Sequence, residues 1–189
     1  MNHKEIISKI EQNPIIAGVR NEELLQQAIS SPVSTIFLLH ANIFNIKSMV
    51  DRVKESGKCA MIHLDFLEGI GRDNCAVDYI CDVIKPDGII STKNSNIRYA
   101  NDKGMFTIQR FFLIDSMAYE TSIRTANSIK PNMVEILPGI IPKILERISH
   151  QLPIPIIAGG LVTTKEDVIE VLNSGALAAS TGRVELWDL

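Results

Sequence analysis

The sequence of 189 residues lacks a hydrophobic run long enough to cross a membrane. Its apolar runs, such as those at 14–19, 36–39 and 154–158, have the length of a strand, whereas a spanning helix needs about 20 residues. The opening Met-Asn-His-Lys-Glu also lacks the apolar core of a signal peptide. We therefore expect a cytoplasmic protein that makes no membrane contact.

Cysteine is scarce, and its spacing carries no metal or redox signal. Cys59, Cys75 and Cys81 are odd in number, and none belongs to a Cys-X-X-Cys or Cys/His metal pattern. Three buried, reduced thiols are therefore expected, with neither a bound metal nor a cofactor. Nucleotide-binding motifs are missing too, because there is no Walker A sequence and the Gly-X-Gly at 69–71 lacks the third glycine of a dinucleotide loop.

Aromatic and basic residues are also few. Aromatics make up 5% of the chain, and 22 acidic residues outnumber 19 basic ones, which gives a net charge of −3. RNA-binding proteins usually show a basic surface or an aromatic stacking platform. The composition excludes an overall basic field and leaves only a local patch. The candidates for that patch are Arg98, Lys103, Arg110 and Arg124.

What the sequence does contain is a regular alternation of apolar runs with amphipathic stretches. The runs are continuously hydrophobic, as strands of a parallel sheet covered on both faces are. The predicted strands are 14–19, 35–39, 59–65, 88–91, 105–110, 133–137, 155–158 and 176–180. The predicted helices are 22–29, 46–56, 76–84, 97–103, 117–129, 141–150 and 165–173, the last with a capping box at Thr163 and Glu166.

The spacing of these elements predicts a compact (β/α)8 TIM-type barrel over residues 1–189, as a single domain. Gly57, Gly104 and Gly175 each follow a predicted helix, and their separations of 47 and 71 residues are close to two and three units of about 23.5 residues. Eight such units starting at Pro14 would end near residue 202 by that estimate (~23.5 residues each), so the last helix is expected to be short or missing. A short helix at 1–12 would cap the barrel floor. Alternatively, this helix or a second subunit would cover the flank of the barrel that the missing last helix leaves open.

Polar residues follow the predicted strands, at the end where a barrel carries its chemistry. Glu135 is the most informative of them, because it lies inside the apolar run 133–137, where a buried carboxylate is costly without a partner. We expect Glu135 to point into the barrel mouth and to pair with a cation. Its candidate partners are Lys93, Arg20 and Arg110.

Two loops rich in glycine and hydroxyl groups predict an anion site. Gly159 and Gly160 follow the seventh predicted strand, and Ser180 and Thr181 follow the eighth. Glycines let backbone N–H groups approach an anion, and barrels often bind phosphate between these two loops. The expected ligand is a small phosphorylated molecule.

A second hypothesis is an enzyme. His63 and Asp65 stand two apart on the third predicted strand and so would share a face. With Lys93 and Glu135 they could form an acid–base set, in which Lys93 could form a Schiff base. The same four residues are compatible with a ligand-binding ring that does no chemistry. The alternative function is therefore an isomerase or aldolase type of barrel enzyme acting on a small phosphorylated metabolite.

From about Pro14 to Trp187 the sequence resembles the glycerol-uptake operon antiterminator family. The most specific matching stretches are Ile-Gln-Arg-Phe at 108–111 and Glu-Ile-Leu-Pro-Gly at 135–139. Other matching stretches are 63–65, 87–93, 112–115, 130–131, 140–142, 155–160 and 186–187.

The resemblance implies a regulator that responds to glycerol 3-phosphate and binds the leader of a nascent mRNA to prevent premature termination. It implies phosphate contacts at Gly159, Gly160, Ser180 and Thr181, glycerol contacts at some of Asp65, Lys93, Gln109 and Glu135, and no catalytic residue. Arg20 completes the expected ligand-binding set. The chain could also form a homodimer, which would bring the basic residues of two copies into a larger patch. A third hypothesis is a barrel that binds a phosphorylated metabolite and acts only through a protein partner.

Overall fold

The structure is a computed structural model that describes residues 1–189. Eight parallel strands close into one barrel, in the order β1-β10-β9-β8-β7-β6-β4-β2. The barrel strands are β1 (Ile15–Val19), β2 (Thr35–Leu38), β4 (Cys59–His63), β6 (Gly88–Ser91), β7 (Phe106–Phe112), β8 (Met133–Leu137), β9 (Ile156–Gly159) and β10 (Ala178–Thr181). Two short strands that the sequence did not predict, β3 (Ala41–Asn42) and β5 (Leu67–Glu68), pair with each other in the loops after β2 and β4.

The predicted (β/α)8 barrel with a short last helix is confirmed. The helices are α1 (His3–Gln12), α2 (Glu22–Ser30), α3 (Ile46–Glu55), α4 (Asn74–Tyr79), α5 (Asn94–Asp102), α6 (Ser116–Ile129), α7 (Pro142–Gln151) and α8 (Lys165–Asn173). A π-helical turn, Ile80–Ile84, prolongs α4, and a single 3₁₀ turn, Val184–Leu186, is all that follows β10. No helix has both the length and the apolar character that crossing a membrane requires.

The core has two layers because successive side chains of each strand point to opposite sides of the barrel wall. Residues such as Ala17, Ile36 and Val134 belong to a cluster of 37 buried residues between the strands and the helices. Residues such as Phe37 and Met133 belong to a cluster of 12 inside the barrel. The side of the wall on which a residue lies therefore decides whether it can reach the barrel mouth.

The N-terminal helix caps the floor of the barrel. Ile6 and Ile10 of α1 are fully buried in the interior cluster, where they meet side chains such as Phe37 and Phe106. The alternative expectation, that this helix or a second subunit covers the open flank, is wrong for the helix. The fully buried Trp187 packs there instead, and its indole Nε1 donates a hydrogen bond to Thr181 O at 3.0 Å.

The helix ends follow the glycine signals. Gly57, Gly104 and Gly175 have φ values of +80°, +74° and +91°, in the left-handed region that a residue following a helix often adopts. The predicted capping box exists but is shifted by one residue, because Thr164 is the N-cap of α8 and Asp167 is its reciprocal partner. The sequence pattern fits both positions, because Thr163 and Thr164 are each followed three residues later by an acidic residue.

Candidate functional site

A cavity of about 420 Å³ opens at the carboxyl ends of the strands. The ends of β1, β7, β8 and β10 and the loop after β9 provide its walls. Five residues of the expected ligand-binding set meet in or beside this cavity. They are Arg20, Glu135, Gly160, Ser180 and Thr181. The other four residues of the set do not line it. They are Asp65, Lys93, Gln109 and Gly159.

A buried ion pair organises the centre of this site. Arg110 Nε donates to Glu135 Oε2 at 2.6 Å, and Ser180 Oγ donates to the other carboxylate oxygen at 2.7 Å. The side chains of Arg110 and Glu135 are 7% and 1% exposed. Of the three predicted cations, Arg110 is therefore the partner of Glu135. Because both carboxylate oxygens are occupied, Glu135 acts mainly to hold the Arg110 side chain in place.

The cavity is positively charged, although the whole chain is negative. Arg20, Arg110 and Arg183 line it, and Glu135 is the one carboxylate among its lining residues. Three guanidinium charges against one carboxylate leave a formal charge of two positive units. Neither Arg20 nor Arg183 takes part in an ion pair. Such a concave positive site favours a doubly charged anion.

The loop after β9 brings backbone close to this charge. Gly159 has no room for a side chain, because a Cβ there would clash with Ser180 Oγ and lie 2.6 Å from Glu135 Oε1. Gly160 follows with a φ of +73°. Leu161 also has a positive φ, +62°, and its side chain is 64% exposed at the cavity edge. A leucine in this region is strained, and such strain is concentrated at ligand-binding loops.

Comparison with known proteins identifies the family. The model of a family described as glycerol-3-phosphate responsive antiterminator matches residues 15–187. The chain belongs to this family. It is 38% identical over 184 residues to YgcP of Escherichia coli K12, itself uncharacterised, covering 97% of this chain and 96% of that protein.

Two solved structures resemble this antiterminator-family chain closely. The glycerol uptake operon antiterminator regulatory protein of Listeria monocytogenes superposes with a TM-score of 0.90 at 35% identity, over 93% of this chain and 95% of that one. A glycerol uptake operon antiterminator-related protein of Thermotoga maritima superposes with a TM-score of 0.83 at 31% identity, over 93% and 98% of the two chains.

Asp65 does not reach the cavity of this antiterminator-family protein. The strand ends at His63, and Asp65 lies in the 3₁₀ turn Leu64–Phe66, so the expectation that His63 and Asp65 share a strand face is wrong. Its carboxylate accepts from Ser91 Oγ and from Thr92 N and Oγ1, each at 2.7 Å. Burial alone would raise the pKa of Asp65, but these hydrogen bonds outweigh it and hold the pKa below its usual value.

Gln109 and Lys93 also lie away from the cavity. Gln109 is fully buried, and its Nε2 donates to Thr92 O at 3.0 Å and to Ser91 O at 3.3 Å. Its neighbour Arg110 faces the barrel interior, so Gln109 must face the helices. Lys93 is the N-cap residue of α5 and is absent from the cavity lining. His63, Asp65, Lys93 and Glu135 therefore do not assemble into one acid–base set.

Sequence reasoning missed several cavity residues of this family member, among them Arg183 and Gly18, and underused Arg110. Arg183 follows β10, and Gly18 lies on β1 two residues before Arg20. Arg110 was considered as a partner for Glu135 and as part of a basic surface patch, and not as a residue that lines the cavity. The alternation along β1 could have identified Gly18, but Arg183 lies beyond the strand, where no periodicity operates.

The candidate basic patch is only half formed. Arg98 and Arg124 line a cleft of about 340 Å³ between α5 and α6, together with the hydroxyl-bearing Thr121, Thr125 and Ser128. Lys103 instead pairs with Asp78 at 2.5 Å and Asp82 at 3.1 Å, which raises its pKa. Arg110 lies in the barrel mouth. The structure contains no group of three or more His, Cys, Asp or Glu side chains that could hold a metal ion.

Proposed function

We propose that this chain is a glycerol-3-phosphate-responsive transcription antiterminator whose barrel mouth binds the ligand. The observation that carries the proposal is the cavity with a formal charge of two positive units, which matches the dianionic phosphate of glycerol 3-phosphate. The family description, glycerol-3-phosphate responsive antiterminator, supports the choice of this ligand. A cytoplasmic location, expected for a protein acting on a nascent transcript, is part of this proposal.

The phosphate would lie between the loops after β9 and β10. Backbone N–H groups around Gly159 and Gly160 would approach it from one side, and Ser180, Thr181 and Arg20 would contact it from the other. Ser180 and Thr181 would contribute mainly through their backbones, because the Ser180 hydroxyl donates to Glu135 Oε1 at 2.7 Å and the Thr181 hydroxyl donates to Val162 O at 2.8 Å. Asp65, Lys93 and Gln109 are left out of this site because none of their side chains faces the cavity.

Calorimetric titration with glycerol 3-phosphate tests the ligand site. We expect binding to the wild-type protein and a loss of about tenfold or more for Arg20→Gln and for Arg183→Gln, because each removes one unpaired cation from the cavity. Arg147→Gln is the matched control, since Arg147 is an exposed arginine that stacks over the Tyr119 ring outside the cavity. Absence of binding to the wild-type protein at millimolar ligand contradicts the proposal.

The second half of the proposal is that the protein binds leader mRNA of glycerol-utilisation genes and prevents premature termination. Arg98 and Arg124 take part in no ion pair, which makes the cleft between α5 and α6 the best candidate for phosphate contacts. A gel-shift assay with leader RNA, with and without glycerol 3-phosphate, tests it. Arg98→Gln/Arg124→Gln should weaken the shift and leave ligand binding unchanged. No shift under either condition argues against RNA binding.

The enzyme alternative has no assembled catalytic set to support it, although the barrel fold hosts many enzymes that act on phosphate esters. Asp65 is saturated by hydrogen bonds from Ser91 and Thr92, and Glu135 is saturated by Arg110 and Ser180. Borohydride reduction in the presence of a triose phosphate would trap a Schiff base at Lys93 if the aldolase hypothesis were right. We expect no adduct.

A further inference from the structure

His63 is a buried polar side chain that the proposed phosphate site does not use. It ends β4 and is 1% exposed, yet neither of its ring nitrogens has a hydrogen-bond partner within the protein. Burying an unpaired polar group is costly, and native proteins keep few of them. An orphaned imidazole beside a ligand cavity is therefore a candidate for contact with the ligand.

The side chain of His63 faces the interior of the barrel. Met61 and Cys59, two and four residues earlier on the same strand, both belong to the interior cluster. Alternation along β4 therefore directs His63 inward, one layer above Met61 and nearer the mouth. The pairing of β2 with β4 ends at Leu38 and Ile62, so the next residue along, Leu39, is level with His63. Leu39 lines the cavity, as does Arg110, whose charge acts on His63. His63 is not itself a lining residue and lies directly behind this part of the cavity wall.

An aromatic ring covers His63. The ring of Phe66 stacks on the imidazole, with centroids 4.3 Å apart and an interplanar angle of 25°. Phe66 is 50% exposed and belongs to the 3₁₀ turn that Asp65 ties to Ser91 and Thr92. The imidazole is therefore fixed in position by a ring that does not satisfy its hydrogen bonds.

The charge state of His63 suits a hydroxyl group. Burial, followed by the charge of the nearby Arg110 guanidinium, lowers its pKa to about 4, and the opposing effect of the Asp65 carboxylate is smaller. At neutral pH the ring is uncharged, with one N–H donor and one acceptor nitrogen. A hydroxyl group can both accept and donate a hydrogen bond, whereas a phosphate dianion only accepts and prefers the arginines.

We propose that His63 is the hydroxyl-recognition residue of the barrel cavity, so that the site selects polyol phosphates over phosphate esters without hydroxyl groups. This proposal rests on the proposed function, because it assumes that the phosphate binds among the arginines. The contacts with the phosphate supply most of the affinity. At the other end of the ligand, His63, with Phe66 packed against it, distinguishes ligands that carry hydroxyl groups from those that do not. The expected ligand class is a short polyol monophosphate.

The test is calorimetric titration with glycerol 3-phosphate and with n-propyl phosphate, which has the same phosphate and no free hydroxyl. Wild-type protein should bind glycerol 3-phosphate at least about tenfold more tightly, because a site built to hydrogen-bond a hydroxyl rejects an analogue that lacks it. His63→Leu should lose that preference while its affinity for n-propyl phosphate changes by less than about twofold. His63→Asn should keep part of the preference, and His150→Asn, on the exposed surface of α7, should keep all of it.

The outcomes separate this proposal from the proposed function. A wild-type protein that binds neither ester contradicts both. A wild-type protein that binds glycerol 3-phosphate, with a preference over n-propyl phosphate that His63→Leu leaves intact, overturns the role of His63 alone. An equal loss for both esters in His63→Leu assigns the residue a structural role and also overturns it. As a measurement without substitution, the imidazole NMR signals of His63 should shift on adding glycerol 3-phosphate and not n-propyl phosphate, and equal shifts count against it.

Discussion

Replacing Glu135 by glutamine removes one charge from the network at the barrel mouth and keeps the size of the side chain. In the wild-type protein the Glu135 carboxylate accepts from Arg110 Nε at 2.6 Å and from Ser180 Oγ at 2.7 Å. The variant leaves the Arg110 guanidinium, 7% exposed, without a counter-charge. Removing one partner of a buried ion pair costs about 3–5 kcal/mol. We expect the lower end, because the amide oxygen can still accept a hydrogen bond from Arg110.

Thermal and urea unfolding measure this loss. For a chain of this length each kcal/mol lowers Tm by about 2–4 °C, so a loss of about 3 kcal/mol should lower Tm by about 6–12 °C. Inorganic phosphate should restore part of it, because an anion beside Arg110 replaces the missing charge and ligand binding stabilises the folded state. The upward shift of Tm with phosphate should therefore be larger for Glu135→Gln than for the wild-type protein.

Glu146→Gln is the matched control. Glu146 is an exposed glutamate on α7 that takes part in no ion pair, so its replacement should change the free energy of unfolding by less than about 0.5 kcal/mol. A loss below about 1 kcal/mol in Glu135→Gln, or equal phosphate shifts for the variant and the wild-type protein, would refute the view that Glu135 holds a buried, otherwise uncompensated Arg110.

Three further predictions follow from the site. Gly159→Ala should lower the free energy of unfolding, measured in urea, by about 1–3 kcal/mol and should weaken glycerol 3-phosphate binding, because the new methyl group would clash with Ser180 Oγ. Unchanged values in both assays would contradict this close packing. The free energy of unfolding should fall by up to about 3 kcal/mol as the pH drops from about 6.5 to 4. The reason is that His63 has a pKa of about 4 in the folded protein and near 6.5 in the unfolded chain, so the unfolded chain takes up the proton first. His63→Leu should flatten this part of the pH profile. Leu161→Gly should raise the free energy of unfolding, measured in urea, by up to about 1 kcal/mol, because glycine adopts the φ of +62° without strain and the exposed leucine side chain packs little. A clear loss of stability would show that the leucine side chain is needed.

The barrel could be predicted from the sequence because its signals are local. Continuous apolar runs marked all eight barrel strands, and glycines such as Gly57 and Gly104 marked helix ends where the backbone turns into the left-handed region. The glycine and hydroxyl loops after the last two strands identified one wall of the cavity for the same reason. The short β3–β5 pair was missed, since two residues carry no periodic pattern.

The identity of the residues that face the cavity was decided by the tertiary structure. Both sides of a parallel barrel wall are apolar, so the pattern along a strand shows which residues share a face but not which face points inward. Gln109 and Arg110 are neighbours in the sequence, and closure of the barrel turned Arg110 toward Glu135 and Gln109 toward the helix layer. The chain likewise leaves β4 after His63, which removes Asp65 from the strand face and leaves a buried imidazole without a partner at the barrel mouth.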